Sequence, residues 1–408
     1  MKRLYRAAGA CAAATIVLSA VASPASAEKA AGPGVSDSEI KIGNTMPYSG
    51  PASSLGAVGR VAGAYFRMIN EQGGINGRKL TLLSLDDGFA PPKTVEQTRK
   101  LVESDGVAFM FATMGTAPSS AIAKYLNGAK VPQIFLISSA SKWNDPKNQP
   151  WSIAFPWQPP YANEAAIYLS YIRKQKPDAR IALLYQNDDA GKEYLKGTRD
   201  ALGADADKVI AAALPFEVAD PTVDSQILAL AATKADALMI YGVTPRACSQ
   251  AIRKTAEIGW TAVRFLAGGC ANPETVLKPA GLENAAGLIS VIAFKPITAG
   301  PQTDPAIIAY LDFMKKYSPE LDPLNSNGSY AYTIAGALTK VLQQAGSDLT
   351  RENIMRQAAN LKDVELPLLL PGIRLNTSPD DFRPLRDGYL AQFKGGEWVA
   401  FGDLIKGQ

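Results

Sequence analysis

Hydroxyl-bearing and small residues gather in three short stretches of this sequence, each placed directly after an apolar run. Residues 48–53, from Tyr48 to Ser53, follow Glu39-Ile40-Lys41-Ile42-Gly43. Met114-Gly115-Thr116 follows Val107-Ala108-Phe109-Met110-Phe111, and Ser139-Ala140-Ser141 follows Gln133-Ile134-Phe135-Leu136-Ile137. These residue types suit carboxylate binding. Helices beginning just beyond Thr116 and Ser141 present backbone N–H groups and a positive dipole end, so no arginine is needed. Ser139 and Ser141 add hydroxyl donors, although the same serines also serve as helix caps. Tyr48, Trp143 and Trp157 lie near these stretches and offer faces for a flat guest. Hinge and core packing is the alternative use of those rings.

Other chemistries are excluded or weakened by composition. The chain has no histidine, which removes Ser-His-Asp triads, Cys-His dyads and histidine-ligated metal sites. A hydrolase using Asp or Glu as acid and base remains an alternative. Asp86 and Asp87 end a strand and read as structural caps. Asn187-Asp188-Asp189 lacks the spacing of an EF-hand loop. No cofactor or metal is expected.

The elements that position these loops follow from periodicity. Residues 39–43 alternate as a strand. Val58, Val61, Ala62, Tyr65, Met68 and Ile69 recur at helical spacing. Gly73-Gly74 caps that helix, Asn76-Gly77 turns the chain, and residues 79–85 form the next strand. This is a βαβ unit, whose first loop lies where open parallel sheets place ligands. Residues 107–111 and 133–137 are continuous apolar strands, as expected when both sheet faces are covered. After a Pro- and Trp-rich crossing at 151–160 the pattern restarts: a helix over 163–174, strands at 180–185, 209–212, 237–241 and 264–267, and helices between them. Asp220-Pro221 reads as the cap and first turn of a helix through Leu230. Helices are predicted at 305–316, 329–344 and 351–360, and short β-like runs in the tail at 389–393 and 398–401. The fold class is α/β, with two doubly wound parallel-sheet lobes.

Lys2, Arg3 and Arg6, the apolar stretch 7–22 and Ala25-Ser26-Ala27 read as a cleavable secretory signal over residues 1–27. Removing it leaves 381 residues, which suits two domains, and a net charge of +1. Nothing in that balance favours a nucleic-acid partner. Cys248 lies in the first turn of one helix and Cys270 just past the end of the following strand. In a parallel sheet those points are neighbours, so a Cys248–Cys270 disulfide is expected in an oxidising compartment; two buried free thiols are the alternative.

Tyr48-Ser49-Gly50-Pro51, residues 69–78 (Ile-Asn-Glu-Gln-Gly-Gly-Ile-Asn-Gly-Arg), Asp86-Asp87, Tyr185-Gln186-Asn187-Asp188-Asp189 and Asn376-Thr377-Ser378-Pro379 together resemble the leucine/isoleucine/valine-binding family. These are periplasmic solute-binding proteins of ABC importers. The resemblance implies a type I periplasmic binding fold with a three-strand hinge. Lobe 1 would comprise residues 38–158 with 294–366, and lobe 2 residues 159–293 with 367–408. It implies a monomer that delivers a small-molecule carboxylate to an inner-membrane permease with an ATPase. A sensor subunit is a further possibility of the same fold.

By the same resemblance, Thr116, Ser139 and Ser141 fall on or near the family's carboxylate-holding positions, with Tyr48, Ser53, Met114, Gly115, Ala140 and Trp157 around them. In the second lobe the pattern departs. Ala190 stands where the family often has tyrosine, Val243-Thr244 where a stacking tyrosine is expected, and Gly269 where an acid takes the ligand ammonium. The expected ligand is therefore an aromatic or hydrophobic acid, with branched-chain amino acids as the alternative.

Overall fold

The structure is a computed structural model that describes residues 31–407; the expected signal segment lies outside the described residues. Two sheets organise it. The first contains β1 (Glu39–Met46), β2 (Lys79–Asp86), β3 (Phe109–Phe111), β4 (Gln133–Leu136) and β5 (Ser152–Ala154), in the order β2-β1-β3-β4-β5 and all parallel. β3 and β4 are wholly buried, as their uninterrupted apolar sequences require when helices cover both faces.

The second sheet contains β6 (Ile181–Gln186), β7 (Ile210–Phe216), β8 (Ala237–Tyr241), β9 (Val263–Leu266), β10 (Ile289–Ile292), β11 (Gly388–Lys394) and β12 (Glu397–Ile405), in the order β12-β11-β10-β9-β8-β6-β7. β6 to β10 run parallel, and the tail adds an antiparallel hairpin to the β10 edge. Gly395 and Gly396 form its two-residue turn at φ 58° and 90°, the left-handed conformations such a turn demands.

The helix Ala57–Glu71 packs Val58, Val61, Ala62, Phe66 and Ile69 into the first core. Each of the larger side chains, Val58, Val61, Phe66 and Ile69, contributes about 1.5–3 kcal/mol on full burial. The chain crosses between sheets three times. Residues 155–160 lead from β5 to the helix Tyr161–Gln175, and residues 293–304 lead from β10 to the helix Pro305–Tyr317. Residues 366–387 return to β11. The last two crossings are tied together, with Lys295 N–H donating to Leu368 O at 2.8 Å and Leu370 N–H to Ala293 O at 2.9 Å.

Three local expectations are corrected. No α-helix follows Ser141: residues Ser141–Trp143 form a single 3-10 turn, and Trp143 is buried in an apolar cluster that holds residues of both sheets, such as Leu136 and Leu183, rather than facing a ligand. The helix expected from Asp220 begins at Asp224, because the Asp220 carboxylate accepts from Glu217 N–H at 2.8 Å and closes a turn. The helix expected from Ser329 begins at Ser326, because Asn325 caps it through the Asn327 N–H. Among the described residues no helix is long and apolar enough to cross a membrane.

Candidate ligand-binding cleft

The carboxyl ends of β3 and β4 deliver their loops to a narrow seam between the lobes. Met114, Gly115, Ser138, Ser139, Leu55, Phe89 and Ile137 line it from the first lobe, Trp157 and Gln158 from the first crossing, Tyr161 from the start of the helix that follows, and Val243 and Gly269 from the second lobe. Met114, Gly115, Ser139, Trp157 and Gly269 are thus brought together as the sequence suggests. The free volume is about 10 Å³, near the minimum that holds one water. No residue on this lining carries a charge.

Gly115 occupies the N-cap of the helix Thr116–Gly128 at φ 94°, and no side chain caps that helix. A Cβ at Gly115 would lie 2.5 Å from the Phe89 ring, so the close approach requires glycine as well as the positive φ. Pro118 has no N–H, and the Gly115 and Ser119 N–H groups donate to Ile137 O at 3.0 Å and Gly115 O at 3.1 Å, so the Thr116 and Ala117 N–H groups are the ones left to serve an anion. Thr116 is buried, and its Oγ1 is 2.8 Å from Ser138 Oγ and 3.3 Å from the Tyr161 hydroxyl. Ser139 Oγ donates to Gln158 O at 3.3 Å. Thr116 thus links the hydroxyls of Ser138 and Tyr161; those two line the seam, and Thr116 lies behind them, off the lining.

Other expected site residues are placed elsewhere. Tyr48 turns inward: its hydroxyl is 2.6 Å from Ser84 Oγ, and its ring packs against Gly56 and Gly59. Ser53 opens a 3-10 turn facing Arg246 and Arg253 across an outer groove between the lobes. Ala140 donates its N–H to Ser138 Oγ at 3.1 Å and lies beside the Arg383 loop. The Ser141 N–H is held by Glu193 of the second lobe, at 2.9 and 3.2 Å to the two carboxylate oxygens. A protein carboxylate therefore occupies the donor that was expected to meet the ligand. Ala190 is buried in the first turn of the helix Asp189–Leu202, whose cap is Asp188. Thr244 is buried, with Oγ1 donating to Gln186 Oε1 at 2.6 Å. Asp86 and Asp87 act as caps and turn anchors. The structure bonds Cys248 to Cys270, with their Cα atoms 6.3 Å apart.

A buried polar group behind the seam was not anticipated. Glu164 accepts from the Tyr168 hydroxyl, the Tyr194 hydroxyl and, at 2.8 Å, the Gly268 N–H. Gln158 Nε2 donates to the Tyr194 hydroxyl at 3.2 Å, and its buried Oε1 has no partner among the described residues. Burial pushes the Glu164 carboxyl up to about 7, against the opposing effect of its donors. Burial likewise pushes the Tyr161 hydroxyl up to about 12. The available signal was periodic: Glu164 falls on the same helical face as Tyr161, Ala165, Tyr168 and Ile172, so it is a charge on an apolar stripe.

A larger cavity of about 460 Å³ adjoins the seam on the hinge side, and Trp157 and Gly269 line both. Two α/β lobes, three crossings and strand-end loops meeting in a cleft define a hinged solute-binding protein. The sequence matches the periplasmic binding protein family over residues 39–397. The chain belongs to that family.

Among curated relatives, the Leu/Ile/Val-binding protein homolog 7 of Brucella suis is 25% identical over 216 residues, covering 51% of this chain and 53% of the relative. The chain thus spans about half the length of the curated relatives it matches. A branched-chain amino acid ABC transporter protein of Thermus thermophilus with bound valine aligns at TM-score 0.78 and 15% identity, covering 91% of this chain and 97% of its own. A fatty acid ABC transporter substrate-binding protein of Thermomonospora curvata aligns at TM-score 0.74 and 23% identity, covering 92% and 95%. These likenesses establish the type I two-lobed fold.

Proposed function

We propose that this chain is the periplasmic capture component of an ABC importer, taking a small organic carboxylate between its lobes and passing it to a membrane permease with an ATPase. Lobe 1 is taken as residues 38–158 with 294–366 and lobe 2 as 159–293 with 367–408. Aromatic or hydrophobic acids are the favoured ligands. The observation that carries this preference is the uncharged lining of the seam, with Gly269 at the expected ammonium position. An ammonium buried there without an anionic partner costs about 3–5 kcal/mol, or at least a hundredfold in affinity at ~1.4 kcal/mol per decade. The carboxylate is assigned to the uncapped first turn at Thr116 with Ser138 and Ser139, and Ser141 is no longer part of the anchor. The protein binds its ligand one-to-one and does not transform it.

The second reading is a branched-chain amino acid. The named ligands of similar proteins favour it, and the unpartnered Gln158 Oε1 offers one acceptor for an ammonium hydrogen. Thermal-shift screening followed by calorimetry separates the two, because a tight ligand raises the melting temperature by mass action. Benzoate-like or phenylpropenoate-like acids should bind more tightly than leucine. Micromolar leucine binding with no response to any aromatic acid overturns the first reading. Consumption of a bound acid would make the protein an enzyme instead.

A further inference from the structure

We infer that the hinge-side cavity is the compartment for the body of the ligand, and that this body is an uncharged aromatic group larger than a single amino-acid side chain. The inference rests on the carboxylate reading of the seam. In the arrangement of the structure the seam has room for little more than one carboxylate oxygen, at about 10 Å³. The adjoining cavity of about 460 Å³ corresponds to roughly fifteen water volumes at ≈ 30 Å³ each. It falls within the ~300–1,000 Å³ typical of small-molecule sites. Trp157 and Gly269 are common to both linings, so a head group in the seam and a body in the cavity are joined around the Trp157 ring.

The walls specify the body. Trp157, Phe294, Tyr330 and Trp398 supply four aromatic rings, with Trp157 and Tyr330 4.4 Å apart and Phe294 and Tyr330 5.4 Å apart. Most of the polar groups between them are already engaged. Asn272 Nδ2 donates to Asn325 Oδ1 at 2.7 Å, Asn327 Nδ2 to Ser54 O at 3.2 Å, and Ser329 Oγ to Ser326 O at 3.1 Å. The Tyr330 hydroxyl donates to Phe155 O, and Trp398 Nε1 to Ala271 O at 2.7 Å. The two lysines on the lining are paired, Lys278 with Glu274 at 2.5 Å and Lys295 with Asp304 at 2.7 Å. The remaining charged side chain on the lining, Glu397, is exposed at the β11–β12 turn; away from it the walls ask for no charge and few hydrogen bonds, and their rings favour a flat apolar guest. The cavity is walled by the second lobe at Ala271 and Asn272, by the second crossing at Phe294, and by the first-lobe helix Ser326–Ala345. A body seated there touches both lobes and the hinge at once.

The test compares benzoate with biphenyl-4-carboxylate by calorimetry on the full processed protein. Two half-buried wall positions are filled separately: Ala271→Phe on the second lobe and Ser326→Phe on the first. Wild type should prefer the biphenyl acid at least tenfold. Each filled variant that keeps the native circular dichroism spectrum should reduce that ratio at least tenfold. A wild type preferring benzoate, or an unchanged ratio in a folded variant, overturns the inference while leaving the carboxylate reading intact. If neither acid binds wild type, the carboxylate reading fails, and uncharged biphenyl-4-methanol then decides the cavity separately. Binding of that alcohol that is lost in Ala271→Phe supports the cavity, and no binding refutes it.

Discussion

At the scale of single residues, the least expected group is Glu164, enclosed by two tyrosine hydroxyls and the Gly268 amide. Its carboxyl is raised from 4.5 to about 7 by burial. A raised folded-state value means that the protonated acid contributes stability fully below about pH 4.5 and loses that contribution as pH rises through 7. Glu164→Gln keeps a neutral side chain at every pH. The variant should therefore melt above wild type at pH 8, by an amount equivalent to at most about 3 kcal/mol. The gap should close towards pH 4.5. Asp87, Asp188 and Glu193 are also raised by burial but remain in both proteins, so the difference isolates Glu164. Equal melting differences at pH 8 and pH 4.5 would assign the effect to packing instead. At the seam, Thr116→Val combined with Ser139→Ala should weaken any carboxylate at least tenfold by calorimetry, since two hydroxyls of the anchor are lost. Unchanged affinity would show that the anchor lies elsewhere.

At the scale of elements, the helix Asp189–Leu202 and the loop after β4 form a latch between the lobes. Ser141 N–H meets Glu193 at 2.9 Å, and Lys142 Nζ meets Asp189 at 2.6 Å. The lysine pair is exposed and worth under about 1 kcal/mol. The half-hidden Glu193 contact is the stronger of the two. Glu193→Gln should leave folding intact and weaken ligand binding about two- to tenfold, because it lowers the population of the closed form. Tighter binding would instead show that Glu193 occupies the ligand's own place. The Cys248–Cys270 bridge staples the start of the helix Pro245–Glu257 to the turn after β9. With its ends 22 positions apart in sequence, loop entropy gives roughly 3 kcal/mol. Non-reducing thiol labelling of the unfolded chain should find neither cysteine reactive.

Both lobes were legible in the sequence at this scale. The apolar runs that became β3, β4 and β8 and the stripe of the helix Ala57–Glu71 each have one dominant period. The course of the loop after β4 was not legible. Its serines favour a cap equally well in a 3-10 turn, and the carboxylate that claims Ser141 N–H comes from a helix 52 residues away. Tyr48 failed for a related reason. Its sequence position is beside the cleft, but Ser84 on β2 and the two glycines of the adjoining helix draw the ring inward.

At the scale of the whole molecule, the three crossings permit rotation between the lobes and resist shear, because the second and third are hydrogen-bonded to each other. Polar contacts between the lobes include the latch beside β4 on one flank and Asn272 Nδ2 to Asn325 Oδ1 at 2.7 Å on the other, and Ala123, Leu136 and Trp143 of the first lobe share an apolar cluster with the second. None of the polar contacts is worth more than about 3 kcal/mol, so the balance between closed and open forms rests on the shared apolar cluster and on the ligand. A bound body touching both lobes would bias that equilibrium by its differential affinity for the closed form. Small-angle scattering should therefore give a larger radius of gyration for the free protein than for the liganded one. The liganded value should approach the roughly 21 Å expected of a compact chain of this size. Asn325→Ala combined with Lys142→Ala loosens both flanks and should expand the free form further, while saturating ligand still returns the compact profile. An identical profile with and without saturating ligand, in wild type and in the double variant, would mean that the lobes are rigidly joined and that ligand enters without hinge motion.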